Sequence, residues 1–178
     1  MNLPNKLTVL RVILIIPFVI IMLTECCGDY SRWIALALFA IASFTDFLDG
    51  NIARRRGIVT NFGKFMDPVA DKLLVSAAML CLLDNGKIPA WVVIVILSRE
   101  FIILGFRTVA ADNGVVIAAS YWGKFKTVSQ MVMIILMICD FGFLRITTMV
   151  VMYIAVVLTV ISLVDYIVKN IDVLKENK

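Results

Sequence analysis

Residues 144–168 read LRITTMVVMYIAVVLTVISLVDYIV, and this stretch decides the class of fold. Only Arg145 near its start and Asp165 near its end carry charge. About 20 apolar residues in a helix cross the hydrocarbon core of a bilayer, so this stretch is long enough to span it. It lacks the apolar and polar alternation of barrel strands, and lipid leaves backbone groups to be satisfied within a helix. The stretch therefore predicts a transmembrane α-helix.

Five apolar stretches of similar character precede it, at about 9–24, 33–49, 66–83, 88–110 and 124–140. The chain of 178 residues is 62% hydrophobic and 17% charged, with a mean hydropathy of +0.99. That composition excludes a water-soluble globular domain and a disordered chain, and four cysteines are too few for a disulfide scaffold. The sequence predicts one all-α membrane domain over residues 1–178, with six transmembrane helices.

Basic residues are distributed unequally between the two ends of these predicted spans. If those inside the spans are assigned to the nearer end, 14 of the 17 Lys and Arg residues fall on one side, and Arg32, Lys87 and Arg145 on the other. Lys and Arg near span ends favour the cytoplasmic side. We therefore expect both termini to be cytoplasmic. A short chain without a transit peptide suits a bacterial inner membrane, which it would cross several times.

Four aspartates occupy positions where lipid would reject them without a partner. Asp46 and Asp49 lie at the cytoplasmic end of the second predicted span, and Asp67 and Asp71 at the start of the third. An isolated carboxylate within a span costs about 2.5–3.5 kcal/mol on insertion scales. Metal coordination is the natural compensation for four of them.

The spacing of these acids places them on helix faces with small residues. If the second helix continues to a stop at Gly57, its positions i, i+3, i+4, i+7 and i+8 share one face. These positions are Asp46, Asp49, Gly50, Ala53 and Arg54. A helix through the next segment would align Gly63, Asp67 and Asp71 at i, i+4 and i+8. In an alternative interpretation, Asp67 caps the third helix and Pro68 is its first residue.

Carboxylates on two facing helices could hold two divalent cations about 3.5–4 Å apart, the arrangement used in phosphoryl transfer. The chain has no histidine, so a metal site would depend on oxygen ligands, which suit Mg²⁺, Mn²⁺ or Ca²⁺. Alternatively, the acids cap helix ends and pair with nearby basic residues, an interpretation that leaves the small residues on the same face unexplained. Those basic residues are Arg54, Arg55, Arg56, Lys64 and Lys72.

At these positions the sequence resembles the CDP-alcohol phosphotransferase family of integral membrane enzymes. The family pattern is D-x-x-D-G-x-x-A-R, then eight residues, then G-x-x-x-D-x-x-x-D. Residues 46–71 match all eight of its fixed positions. The resemblance implies a reaction in which a CDP-linked alcohol gives its phosphoalcohol group to a hydroxyl acceptor and CMP is released.

The same resemblance implies roles for individual residues. Asp46, Asp49 and Asp67 are implied as ligands of a first metal ion, and Asp46, Asp67 and Asp71 of a second, with Mg²⁺ or Mn²⁺ expected. Asp71 is also implied as the general base that accepts the proton of the acceptor hydroxyl. The positions implied to contact the CDP group are Gly50, Arg54 and Thr60, with Asn5 and Thr8 in a short interfacial segment at the N-terminus.

Basic residues within the fourth and fifth predicted spans indicate an acceptor that carries phosphate. Arg99 and Arg107 interrupt the fourth span and Lys124 and Lys126 open the fifth, while guanidinium groups suit phosphate. An ion pair of Glu100 with Arg107, on one helix face, is the alternative. Segments 98–100 and 123–127 resemble the phosphatidylglycerophosphate synthase branch of the family, which implies CDP-diacylglycerol and sn-glycerol 3-phosphate as substrates. The residues then implied to bind the acceptor phosphate are Arg99, Arg107, Lys124 and Lys126.

Two other functions fit parts of the sequence. A sister synthase that makes phosphatidylserine, phosphatidylinositol phosphate or cardiolipin would differ only in its acceptor. A divalent-cation transporter would also place acids in spans, but along a pathway rather than clustered between residues 46 and 71. The expected partners are membrane lipids and, by family analogy, a second copy in a homodimer, with no nucleic acid.

Overall fold

The computed structural model describes residues 3–56, 61–112 and 120–170, and these form six long α-helices and no strand. The helices are α1 (Leu3–Thr24), α2 (Ser31–Arg56), α3 (Asn61–Asp84), α4 (Ala90–Asp112), α5 (Tyr121–Cys139) and α6 (Arg145–Asn170). Single turns of 3-10 helix precede α2 and α6. Each predicted apolar stretch falls in one of these helices to within two residues at either end. The all-α prediction is confirmed.

The ends of the helices distinguish between the interpretations of the acid-rich segment. Helix α2 runs to Arg56, and the expected stop at Gly57 lies outside the described residues. Helix α3 begins at Asn61, so Asp67 and Pro68 lie inside it, and the interpretation in which Asp67 caps the helix is wrong. Helices of this apolar kind tolerate a proline because neighbouring groups satisfy the freed backbone carbonyl. Helix α1 begins at Leu3, so the expected N-terminal interfacial segment is continuous with the first predicted span.

The first of two compact units, within residues 1–88, contains α1, α2 and α3. Helix α1 packs against α2 and α3, and α2 also contacts α3. Phe18 of α1 and Phe39 of α2 are fully buried, with ring centroids 6.0 Å apart. The same unit buries several small residues, which let helix backbones approach closely. They are Ala35, Ala42, Ala70 and Ala78.

The second unit, within residues 89–178, contains α4, α5 and α6. Helix α6 packs against both α4 and α5. Its buried residues recur at i, i+3, i+7, i+10 and i+14, which places them on one face. They are Met152, Ala155, Thr159, Ser162 and Tyr166. The middle of this face is small and polar, so α6 can approach side chains that themselves need hydrogen-bond partners.

The outer face of α6 is apolar, the reverse of a helix on a water-soluble protein. Its exposed large residues include Val150, Tyr153, Ile154, Val157, Val160, Ile161, Val164 and Val168. Among the described residues, the segments Tyr121–Cys139 and Gly142–Asn170 are long and apolar enough to cross a membrane. Lipid is the solvent that suits such a surface. These features indicate a membrane protein, while the six-span topology and the single domain stay predictions.

Replacing Phe39 by Ala should destabilise the first unit by about 3 kcal/mol, because it leaves a cavity against Phe18. The measurement is thermal unfolding of the full chain in detergent. Phe44→Ala is the matched control, since Phe44 lies on the same helix but is 62% exposed, whereas Phe39 is fully buried. Equal losses in the two variants would contradict the packing of α1 on α2.

Candidate functional site

The acid-rich motif lies on two helices that contact each other. Asp46 and Asp49 belong to α2, and Asp67 and Asp71 to α3. The continuous helix from Asn61 gives Asp67 and Asp71 the expected spacing of one turn. The side chains of Asp46, Asp49 and Asp67 lie outside the described residues, so their arrangement around a metal stays a prediction.

The Asp71 side chain is the described member of this motif. Its neighbours Ala70 and Leu74 are buried and anchor this turn of α3, while the Asp71 side chain is 40% exposed. The carboxylate Oδ2 lies 3.5 Å from Nζ of Lys72. An ion pair this open contributes about 0–1 kcal/mol, so a ligand can compete for the carboxylate at little cost. Asp71 therefore fits either proton transfer or metal coordination.

The donor set suits hard divalent cations, since carboxylate oxygens are the ligands that such ions prefer. Among the side chains that the structure describes, no three acids or cysteines come together. Three of the four predicted ligands are outside that part of the chain. The chemistry of the donor set fits a metal site, and a test of it requires the metal itself.

Of the residues expected to contact the nucleotide, Thr8 is the one whose side chain is described. The side chains of Asn5 on α1 and Arg54 on α2 and the surroundings of Gly50 lie outside the described residues, and Thr60 lies outside them altogether. Thr8 is fully buried, and so is Arg11 one turn further along α1. The distribution of basic residues predicts for Arg11 only a role in membrane orientation. The sequence spacing could have identified Arg11 as a buried neighbour of Thr8, because residues three apart share a helix face.

Five buried polar side chains meet in the second unit, and we call them the Arg99 cluster. They are Arg99, Glu100, Lys126, Gln130 and Ser162. Arg99 donates from Nη1 to Glu100 Oε1 at 3.1 Å and from Nε to Ser162 Oγ at 3.0 Å. Lys126 donates from Nζ to Oε1 of Glu100 and to Oε1 of Gln130. Helices α4, α5 and α6 each contribute at least one member.

The Arg99 cluster contains two cations and one anion, which leaves a net charge of +1. Charge buried at this depth is costly unless it is paired and hydrogen-bonded. The guanidinium of Arg99 offers a planar fork and the ammonium of Lys126 a compact charge, a combination that suits a phosphate group. The cluster is therefore a candidate anion site.

The four basic residues predicted to bind phosphate do not all belong to this cluster. Arg99 and Lys126 come together in it, whereas Arg107 and Lys124 are exposed. The Lys124 ammonium lies 5.2 Å from the ring centroid of Tyr121, within the range of a cation–π interaction. The roles of Arg107 and Lys124 stay predictions.

Sequence reasoning missed two residues near Arg99 on α6. Ser162 accepts the hydrogen bond from Arg99. Tyr166, one turn further along the same buried face, has a hydroxyl with no hydrogen-bond partner among the described residues. The available signal was the small and polar spacing of Thr159 and Ser162 inside an otherwise apolar helix. Such residues mark faces turned toward protein rather than lipid.

The chain is similar to known proteins along most of its length. A sequence model of the CDP-alcohol phosphatidyltransferase family matches residues 1–161. The chain is 45% identical to a CDP-diacylglycerol–glycerol-3-phosphate 3-phosphatidyltransferase of Bacillus subtilis, with 98% of this chain and 97% of the relative covered. It is 42% identical to a probable phosphatidylglycerophosphate synthase of Mycobacterium tuberculosis, covering 94% and 81%. For a CDP-diacylglycerol–glycerol-3-phosphate 3-phosphatidyltransferase of Haemophilus influenzae the identity is 38%, covering 93% and 91%.

Replacing Lys126 by Ala should lower the free energy of unfolding by about 2 kcal/mol, because Glu100 and Gln130 lose a buried donor. Lys124→Ala is the matched control on the same helix and should cost well under about 1 kcal/mol, since Lys124 is exposed. Both are measured by thermal unfolding in detergent. Similar losses of stability in the two variants would show that the buried hydrogen bonds of Lys126 do not stabilise the fold.

Proposed function

The chain belongs to the CDP-alcohol phosphatidyltransferase family, and from that premise we propose that it transfers the phosphatidyl group of CDP-diacylglycerol to sn-glycerol 3-phosphate. The products are phosphatidylglycerol phosphate and CMP. The observation that carries the proposal is the similarity, along nearly the whole chain, to relatives named for this reaction. The family match gives the reaction class, and the relatives' names supply its two substrates.

The Arg99 cluster supports an acceptor that carries phosphate. The buried cations Arg99 and Lys126 share the Glu100 carboxylate, and their guanidinium and ammonium groups suit a phosphate. Serine lacks a phosphate, and inositol phosphate differs from sn-glycerol 3-phosphate in size and shape. The phosphate and the size of the acceptor therefore determine together which acceptor the site selects. In this proposal, Arg99 and Lys126 bind the phosphate of sn-glycerol 3-phosphate, and Arg107 and Lys124 attract it electrostatically.

The acceptor's sn-1 hydroxyl oxygen attacks the phosphorus atom that carries the diacylglycerol. The bond from that phosphorus to the CMP oxygen breaks, and CMP leaves with the electron pair. Asp71 accepts the proton of the attacking hydroxyl, a role that its half-buried and weakly paired carboxylate permits. The nucleotide of the donor is held by Asn5, Thr8, Gly50, Arg54 and Thr60.

Asp46, Asp49, Asp67 and Asp71 would hold two divalent cations, Mg²⁺ or Mn²⁺. When bound, such ions neutralise the pyrophosphate and stabilise negative charge in the transition state. The eight-position motif and the all-oxygen donor set support this assignment. Bound cations would also compensate the cost of placing four carboxylates in an apolar chain.

The proposed topology has six spans, with both termini and the site on the cytoplasmic side of the cell membrane. The distribution of basic residues supports it. This arrangement leaves the acyl chains of the donor in the bilayer while its charged headgroup reaches the water-soluble acceptor. Family analogy adds a homodimer to the proposal.

The full chain, purified in detergent with CDP-diacylglycerol and Mg²⁺ or Mn²⁺, should release CMP when sn-glycerol 3-phosphate is added. The physical reason is that the reaction needs a phosphate-bearing acceptor and a neutralised pyrophosphate. Serine and inositol phosphate should give no release, and chelation with EDTA should stop the reaction until the cation is restored. Release with either alternative acceptor but not with sn-glycerol 3-phosphate would refute the proposed substrate.

Asp71→Asn should lower the rate of CMP release by about 100-fold or more, because the amide cannot accept the proton and is a weaker metal ligand. Its melting temperature should stay close to that of the unaltered chain, since the side chain is partly exposed. Asp84→Asn is the matched control, an exposed acid at the other end of α3. Near-normal turnover by Asp71→Asn would contradict the assignment of the base.

A further inference from the structure

Glu100 lies between the two cations of the Arg99 cluster. Its Oε1 accepts hydrogen bonds from Arg99 Nη1 and from Lys126 Nζ, although the two donors come from different helices. The residue is 5% exposed, so water does not take over these contacts. One carboxylate oxygen therefore links Arg99 of α4 to Lys126 of α5.

Without this carboxylate, two buried cations would face each other. Like charges at short range repel strongly where the surroundings are apolar. Both side chains are long and lose considerable freedom when held in one conformation. The carboxylate offsets the repulsion and supplies the hydrogen bonds that keep Arg99 and Lys126 side by side.

Arg99 is confined by neighbours along the length of its guanidinium group. Nη1 donates to Glu100 and Nε to Ser162, while Nη2 faces the first turn of α5. A Cβ atom added at Gly123 would lie 3.3 Å from Nη2, closer than an ordinary contact. Gly123 thus leaves the space in which the guanidinium lies. The confinement is independent of the contact between Glu100 and Lys126.

We propose that Glu100 is a positioning residue for the acceptor, and that it holds Arg99 and Lys126 as a preformed pair that binds the acceptor's phosphate. Glu100 acts through these two cations and does not touch the substrate itself. The inference rests on the proposed function and adds to it the residue that controls acceptor affinity. Preorganisation of this kind lowers the cost of ordering flexible side chains on binding.

Steady-state CMP release by the full chain tests the proposal. Glu100→Gln keeps the size of the side chain but removes its charge, and it should raise the KM for sn-glycerol 3-phosphate by about tenfold or more. The KM for CDP-diacylglycerol should stay within about twofold, because the Arg99 cluster binds the acceptor. Glu100→Asp restores the charge and should recover part of the lost acceptor affinity. Glu25→Gln, the same exchange at an exposed residue, should change neither constant.

Gly123→Ala provides a second variant that leaves every charge in place. The added methyl group should displace the Arg99 guanidinium and raise the KM for the acceptor selectively. This variant also tests the proposal if Glu100→Gln does not fold. A merely structural role for Glu100 would lower the melting temperature and affect both KM values alike, and that result would overturn the inference.

The outcomes separate this inference from the proposed function. An unaltered chain that releases CMP with sn-glycerol 3-phosphate, together with Glu100→Gln and Gly123→Ala variants of normal acceptor KM, would refute the role of Glu100 alone. If the unaltered chain releases CMP with none of the acceptors tested, both the proposed function and the role of Glu100 are refuted. An acceptor-specific rise in KM in either variant, with recovery by Glu100→Asp, supports the positioning role.

Discussion

Charge that is buried among apolar helices must find a partner within the protein, and this constraint shapes the functional parts of the molecule. Lipid offers neither hydrogen bonds nor counter-ions, so an unpaired charge is costly there. In the second unit, Glu100 and Ser162 provide partners for Arg99, and Glu100 and Gln130 for Lys126. The apolar outer surface of α6 can face lipid because Thr159, Ser162 and Tyr166 are turned inward.

The same constraint explains why helices of this chain carry small residues at their contacts. Association in lipid depends on close van der Waals packing, since apolar surface gains little by leaving a solvent that is itself apolar. Ala35, Ala42, Ala70 and Ala78 allow this approach in the first unit, and Ala155, Thr159 and Ser162 in the second. Close approach of α6 also brings the Ser162 hydroxyl within reach of Arg99. Ser162 thus contributes both to close packing and to charge compensation.

The two units carry different sets of charged residues. The first carries the four acids of the family motif, and the second carries the cations that suit a phosphate-bearing acceptor. In the proposal, divalent cations compensate the four acids of the motif, whereas Glu100 compensates Arg99 and Lys126. In the proposal, Arg99 and Lys126 of the Arg99 cluster bind the phosphate of the acceptor.

Much of this protein could be predicted from local sequence. The length of the apolar stretches predicted the six helices, although α1, α2 and α3 each extend five to seven residues beyond their stretch at one end. The spacing of eight positions between 46 and 71 indicated the family. These features depend on residues close together in the chain. Tertiary structure alone decided that Glu100 binds Arg99 and Lys126 and that Ser162 joins them, whereas Arg107 and Lys124 lie on the surface. Glu100 is 26 residues from Lys126, and Arg99 is 63 from Ser162. The period of a helix determines which residues share a face, but only the packing of one helix against another selects which faces meet.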